Sequence, residues 1–272
     1  MSEVSQPFSW AVLHWHTEVV LGLLLIEYIY LFGVGRLRHR YNWADNISKW
    51  QIASFSLGIA IAFIALVSPI AEIAEFYLFS GHMIQHLLLF MVLPPLILLG
   101  IPSWLLRPVF KYKPIFKIGL LLTNPIVAFA SFNIVLLLWH FPEAYESTLN
   151  SEAAHASEHI LFIATGLLTW WPILSPLSEL PRLPYPGQIA YLFFQSIPMG
   201  FLGAAITFAP NVIYTYYATA PRIWEISPIA DQQIGGMLMK TAGSLIFLLV
   251  LTIIFFRWAK NEGSDWMRPG PT

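Results

Sequence analysis

The chain has 272 residues, of which 57% are hydrophobic and 11% charged, with a mean hydropathy of +0.65. That balance belongs to an integral membrane protein and excludes an ordinary water-soluble domain. A formal net charge of −1 gives no electrostatic case for nucleic acid, and the absence of cysteine excludes disulfides, thiolate metal sites and cysteine nucleophiles.

The first ten residues lack a basic n-region and a small-residue cleavage site and lead straight into an apolar span, so no removable signal peptide is expected. Apolar runs long enough to cross a bilayer, roughly 20 residues at helical rise, fall at 12–34, 51–69, 82–100, 119–140, 155–174, 188–209 and 232–256. The expected fold is all-α: one seven-helix transmembrane bundle over 1–272, with no repeat and no separate soluble domain.

Charge alternates between the connecting segments. Arg36, Arg38, Arg40 and Lys49 follow the first span, Arg107, Lys111, Lys113 and Lys117 the third, Arg182 the fifth, and Arg257, Lys260 and Arg268 the seventh. The opposite loops carry Glu72, Glu75, Glu143, Glu146, Glu152, Glu225 and Asp231, with Arg222 their only basic residue. The positive-inside rule then sets the N-terminus outside and the C-terminus in the cytoplasm.

Proline and glycine mark special places in the spans. Pro94-Pro95 removes two backbone donors midway along the third span and is expected to kink it, with neighbouring helices satisfying the freed carbonyls. Asn124-Pro125, Pro172 and Pro198 act similarly nearer helix ends. Gly235-Gly236 and Gly243 in the last span, with Ala204 and Ala205 in the sixth, suggest close helix packing. The long outer connection 210–231 carries Tyr214, Tyr216, Tyr217 and Trp224, which suit an interfacial position or a lid.

Histidine carries the functional signal. His14 and His16 open the first span, His82 and His86 the third, His140 closes the fourth, and His155 and His159 open the fifth; only His39 falls in a basic loop. Seven of the eight therefore lie at the outer end. The i, i+4 spacing of His82/His86 and of His155/His159 lets two imidazoles on one helix face reach a common ligand. A single interfacial histidine is accounted for by headgroup depth or a helix-end hydrogen bond. Two such pairs together with Trp139-His140 at the same depth point instead to a metal layer. Imidazole and thioether donors without carboxylate dominance suit copper, with zinc or haem iron next. Met83, Met199, Met237 and Met239 are available as soft partners, although methionine is usually packing filler.

Ionisable groups in spans are costly and are functional candidates by default. Glu18 stands one turn from His14, and Glu158 adjoins His159 one turn from His155; either could orient an imidazole, and each could equally be a solvated interfacial carboxylate. Asp231-Gln232-Gln233 reads equally as a helix cap or as part of the site. Glu27 and Lys240 lie deeper, as partners of each other or with Lys240 facing Glu18.

Several of these stretches together resemble the seven-helix CtaG family of cytochrome c oxidase assembly factors. They are His82-Met83-Ile84-Gln85-His86 through Pro94-Pro95 and Leu99-Gly100-Ile101-Pro102; Trp139-His140-Phe141-Pro142 with Tyr145; His155 to Glu158-His159 and on to Trp170-Trp171-Pro172; Tyr214 with Tyr217; and Asp231 to Gly236. The resemblance covers 80–240 with the motifs in order, and Lys240 departs from the Trp of many relatives. It implies a multi-pass protein of the bacterial plasma (inner) membrane, needed to make active haem-copper oxidase. Such a protein would supply or hold copper for the oxidase's buried copper centre, with an oxidase subunit or a copper chaperone as partner beside the lipid bilayer.

On this reading the chain is not an enzyme. The expected metal ligands are His82, His86, His155 and His159, with His140, His14 and His16 as further or transfer ligands, and Glu18, Glu158 and Asp231 behind them. The competing readings are an intramembrane zinc hydrolase using Asp231 or Glu158 as base, a bis-histidine haem protein, and a small-solute transporter using Glu27 and Lys240.

Overall fold

The computed structural model describes residues 16–266, with side chains described to residue 261. Among these residues the ordered elements are all helices and there is no strand. The principal helices are α1 (Thr17–Tyr41), α2 (Lys49–Val67), α3 (Phe79–Gly100), α4 (Lys113–Leu122), α5 (Pro125–His140), α6 (Pro142–Asn150), α7 (Glu152–Leu174), α8 (Tyr185–Thr207) and α9 (Pro228–Trp266).

Local chemistry sets their ends. The Ser48 hydroxyl accepts the Trp50 amide at 3.3 Å to open α2, and the Ser151 hydroxyl accepts the Ala154 amide at 3.4 Å to open α7. Asn124 accepts the amides of Ile126 and Val127 at 2.9 and 3.5 Å, and Pro125 follows in the first turn. That break turns the expected fourth span into two helices, α4 and α5, bent by 69°.

Five helices, α1, α2, α3, α8 and α9, are long and apolar enough to cross a membrane, or six if the bent α4–α5 pair is one span. The chain is thus a multi-pass membrane protein. The other expected span, 155–174, lies in α7, which has the length at 23 residues, but its first eight residues, from Glu152 to His159, include two glutamates and two histidines.

α3 is the central helix. Buried residues make up 61% of its apolar window against 22% for α1, and it packs on α2, α7 and α9. α8 lies along α9, α5 against α7, and α1 outside α2. The main core joins Phe79, Phe90, Phe132, Phe162, Trp170 and Phe247 across α3, α5, α7 and α9. On the periphery, Tyr30 stacks on Phe55 at 3.8 Å and ties α1 to α2.

The Pro94-Pro95 break has the anticipated remedy. α3 winds as a π-helix over Leu88–Val92 and resumes with both prolines in the first turn of Leu93–Gly100. Pro94 cannot donate to the Phe90 carbonyl, and the Trp170 indole of α7 donates to that oxygen at 3.1 Å.

Small residues set the α8–α9 approach, because lipid supplies no hydrophobic drive for helix pairing and van der Waals contact must do it. A Cβ on Gly236 would lie 2.7 Å from the Gly203 carbonyl oxygen. The partner across the seam is Gly203, next to the expected Ala204 and Ala205. Gly235 faces Phe79, and Gly243 faces Met199.

Candidate metal centre

The N-terminal end of α3 is built to hold its histidines rigidly. Asp231, fully buried on α9, accepts the backbone amides of Phe79 and Ser80 at 2.8 and 3.0 Å and the Ser80 hydroxyl at 2.5 Å. It caps another helix, satisfying first-turn donors of α3 and placing negative charge at that helix's positive end. Both carboxylate oxygens are occupied in this way, so Asp231 orients the helix that bears His82 and His86.

Gly81 lets the π-helical turn Ile73–Tyr77 press against α3, since a Cβ there would meet Ile73 Cγ2 at 2.8 Å and the Ala74 amide nitrogen at 3.2 Å. Gln85 anchors the opposite face by donating to the Ala65 carbonyl of α2 at 2.9 Å.

Two helices face each other across the centre. His82 and His86 are buried on α3, and Glu158 is wholly buried on α7 between His155 and His159, which are half-buried. Glu158 Oε1 lies 3.6 Å from His82 Nε2 and 3.4 Å from His86 Nε2, without the alignment of a hydrogen bond. The His82 and His86 ring centres are 4.2 Å apart and those of His155 and His159 4.3 Å, whereas His82–His155, His82–His159 and His86–His159 measure 6.2, 6.5 and 6.1 Å. The ligand atoms form two triads, His82/His86/Glu158 and His155/Glu158/His159, each within 4.8 Å.

His140, at the end of α5, joins this layer with its ring 6.1 Å from that of His86. Its Nδ1 sits 2.7 Å from the Leu136 carbonyl oxygen, so Nδ1 carries the proton and donates, leaving Nε2 with the lone pair. Glu75 Oε1 approaches His155 Nδ1 at 3.9 Å, and His155 Nε2 is buried without a hydrogen-bond partner.

The unsatisfied atoms of the donor set suit a cation. Both ring nitrogens of His82 and His86, Nε2 of His140, His155 and His159, and both oxygens of Glu158 are buried without a hydrogen-bond partner. Leaving such atoms unpaired costs about 1–3 kcal/mol each. A bound cation would satisfy their converging lone pairs together. Imidazoles with one carboxylate and no thiolate fit copper or zinc.

The other expected residues that the structure describes are in neither triad. His14 is outside the described residues. His16 is partly exposed, its Nδ1 pairs with Glu18 at 3.2 Å, and it belongs to neither triad. Glu27 accepts the Ser56 hydroxyl at 2.5 Å, while Lys240 is exposed on α9 with its stem beside Gly203. The expected pairing of Lys240 with Glu27 or Glu18 is replaced by these contacts. Met83 and Met199 pack against Gly235 and Gly243 as core filler.

The connection 210–231 packs against the site through its tyrosines. Tyr214 and Tyr217 are buried while Trp224 is exposed. Tyr214 donates to the His140 carbonyl at 3.1 Å, Tyr145 of α6 donates to Tyr217 at 3.1 Å, and Tyr217 donates to the Ala74 carbonyl at 2.6 Å. The Tyr145 ring packs 5.0 Å from His82. Burial raises the phenol pKa of all three tyrosines, keeping them neutral hydrogen-bond donors. Gln232 fastens the start of the loop, accepting the Ile213 amide at 2.6 Å and donating to the Asn211 carbonyl at 3.2 Å. Sequence reasoning missed Glu75, whose only signal was the Glu72/Glu75 spacing just ahead of the first histidine pair.

These features define a multi-pass helical membrane protein with a buried histidine–carboxylate centre at one end of its bundle. Residues 28–261 match the cytochrome c oxidase caa3 assembly factor family, Caa3_CtaG, and the chain belongs to it. It is 26% identical over 281 aligned residues to uncharacterized proteins of Mycobacterium bovis and Mycobacterium tuberculosis, covering 91% of this chain and 40% of each of them. A Mycobacterium leprae protein is 25% identical over 273 residues, covering 90% of this chain and 38% of its own length. The chain thus spans about two fifths of these relatives. No solved structure matches it.

Proposed function

We propose that this protein is a non-enzymatic assembly factor of the bacterial plasma membrane that binds copper at the histidine centre and passes it to the copper site of a haem-copper oxidase. The family supports the oxidase as destination. The observation that carries the metal is the convergence of unpartnered His82, His86, His155 and His159 nitrogens on buried Glu158, with the unpartnered His140 Nε2 in the same layer. In this reading Glu158, first expected to orient an imidazole, is itself a ligand. His16 is a surface residue available to a passing ion.

The proposal includes seven spans, with α7 as the span between the bent α4–α5 pair and α8, and the N-terminus outside. Its support is the sidedness of charge, with His82, His140 and His155 at one end and Arg107, Lys111 and Arg182 at the other. A polar opening to α7 is tolerable in lipid because its Glu158 and His159 face the bundle interior. Copper is favoured over haem because Phe162 packs 4.4 Å from the His86 ring and Tyr145 5.0 Å from His82, filling the space a macrocycle needs.

Element-resolved metal analysis of the purified protein beside its His82→Ala/His86→Ala variant tests this. Copper in the parent and a lower copper content in the variant is the expected result. Equal copper in both removes these residues as ligands, while zinc with turnover of a lipid ester or amide favours the hydrolase reading.

A further inference from the structure

The histidines do not form one ring around one point. A nitrogen about 2 Å from an ion sets its ring centre about 3 Å away, so four imidazoles around a single ion have ring centres about 5 Å apart. Here the rings fall into two close pairs, at 4.2 and 4.3 Å, while the measured separations between pairs are 6.1–6.5 Å. The α3 pair is buried and the α7 pair half-buried.

Glu158 stands between the pairs and belongs to both triads. Both its oxygens are buried and without a hydrogen-bond partner. A carboxylate offers two oxygens with lone pairs on opposite sides, and two-metal centres set their ions about 3.5–4 Å apart. One oxygen for each ion is the arrangement that leaves neither orphaned.

The two halves are unequal. His140, with its proton held on Nδ1 by the Leu136 carbonyl and its Nε2 buried without a partner, stands outside both triads with its ring 6.1 Å from that of His86. The inner half therefore has His82, His86 and a carboxylate oxygen, and the His140 imidazole beside His86 is at hand to complete a four-coordinate set. The outer half has His155, His159 and the other carboxylate oxygen, which leaves a coordination position open beside the more exposed imidazoles.

We propose that the centre holds two copper ions bridged by Glu158, a closed inner one on His82, His86 and His140 and an open outer one on His155 and His159. The outer ion is the exchangeable one, since only it has a vacant position and a half-buried ligand pair. This inference rests on the copper-binding reading above, and ion counting separates the two.

The full-length protein is purified in detergent and loaded in parallel with Cu(II) in air and with Cu(I) under anaerobic reductant. It is freed of loose metal, and bound copper per chain is counted. Two ions per chain in either state, falling to one in the His155→Ala/His159→Ala variant and to at most one in Glu158→Gln, is the expected result. One ion per chain in the parent overturns the two-ion centre and leaves the copper reading standing, whereas none overturns both. Two ions retained in Glu158→Gln overturn the bridge. The His155→Ala/His159→Ala variant touches only half-buried side chains, so it keeps the count informative if Glu158→Gln fails to fold. In the Cu(II)-loaded parent, magnetic coupling reduces the isolated-ion electron paramagnetic resonance signal per copper, and the signal of one uncoupled ion returns in His155→Ala/His159→Ala. An uncoupled signal from two ions in the parent overturns the bridge.

Discussion

The Asp231 carboxylate accepts the backbone amide of Phe79 at 2.8 Å across 152 residues of sequence, fixing the first turn of α3 from the first turns of α9. His82 begins one residue beyond Gly81 in that same turn, so the orientation of a candidate ligand depends on a hydrogen bond made by a distant helix.

Asp231→Ala removes three acceptor contacts and leaves the Phe79 and Ser80 amides buried without partners. The expected loss is at least about 2 kcal/mol of stability. Copper binding is expected to weaken with every histidine still present, and Asp231→Asn, which keeps one acceptor oxygen, falls between. Thermal melting in detergent beside a copper titration checks this; unchanged affinity in Asp231→Ala would mean that the cap does not position the pair.

Gly236 and Gly203 set how closely α8 and α9 approach. A Cβ at Gly236 meets backbone, the Gly203 oxygen at 2.7 Å and the Thr207 nitrogen at 2.8 Å, while a Cβ at Gly200 on α8 meets nothing within 4 Å. Gly236→Ala is expected to destabilise by about 1–3 kcal/mol as an overpacked contact. Gly200→Ala is expected to be neutral or stabilising, since alanine favours a helix by about 1 kcal/mol over glycine. A similar melting temperature for both variants would contradict the close seam.

How much of this was legible follows from the range of each interaction. The i, i+4 spacing of His82/His86 and His155/His159 and their common depth are local properties, and the sequence carries them in full. That Glu158 points between the pairs depends on how α3 meets α7, which no local pattern encodes. Asp231 looked like a cap because it is acidic near a helix start, but the helix it caps is α3. The 69° bend at Asn124-Pro125 was marked by proline, yet the apolar run 119–140 continues through it, and hydropathy has no angle. α6 was unreadable as a helix because its polar sequence, from Pro142 to Asn150, lacks an apolar period and is held by Tyr145 and Thr148 packing inward.

Among the histidines expected as ligands, His16 and His86 now separate. His16 is partly exposed and paired with Glu18, whereas His86 is buried with neither ring nitrogen hydrogen-bonded. His16→Ala is expected to leave copper content unchanged, and His86→Ala to reduce it to half or less. Metal analysis of the two single variants distinguishes them, and a loss in His16→Ala comparable to that in His86→Ala would bring the first helix into the centre.

The Phe90 carbonyl offers a test of how the α3 break is sustained. Pro94 has no amide hydrogen for it, and the Trp170 indole fills the role at 3.1 Å from α7, beneath the histidine layer. Trp170→Phe keeps the aromatic volume near Phe247 but leaves a buried carbonyl unsatisfied, at an expected cost of about 1–3 kcal/mol. Pro94→Ala supplies a backbone donor, so Trp170→Phe should cost less in that background. A double-mutant cycle is then expected to return a coupling of about 1 kcal/mol. Additive effects would mean that Trp170 stabilises α3 by packing alone, and that the π-helical turn over Leu88–Val92 persists without the indole hydrogen bond.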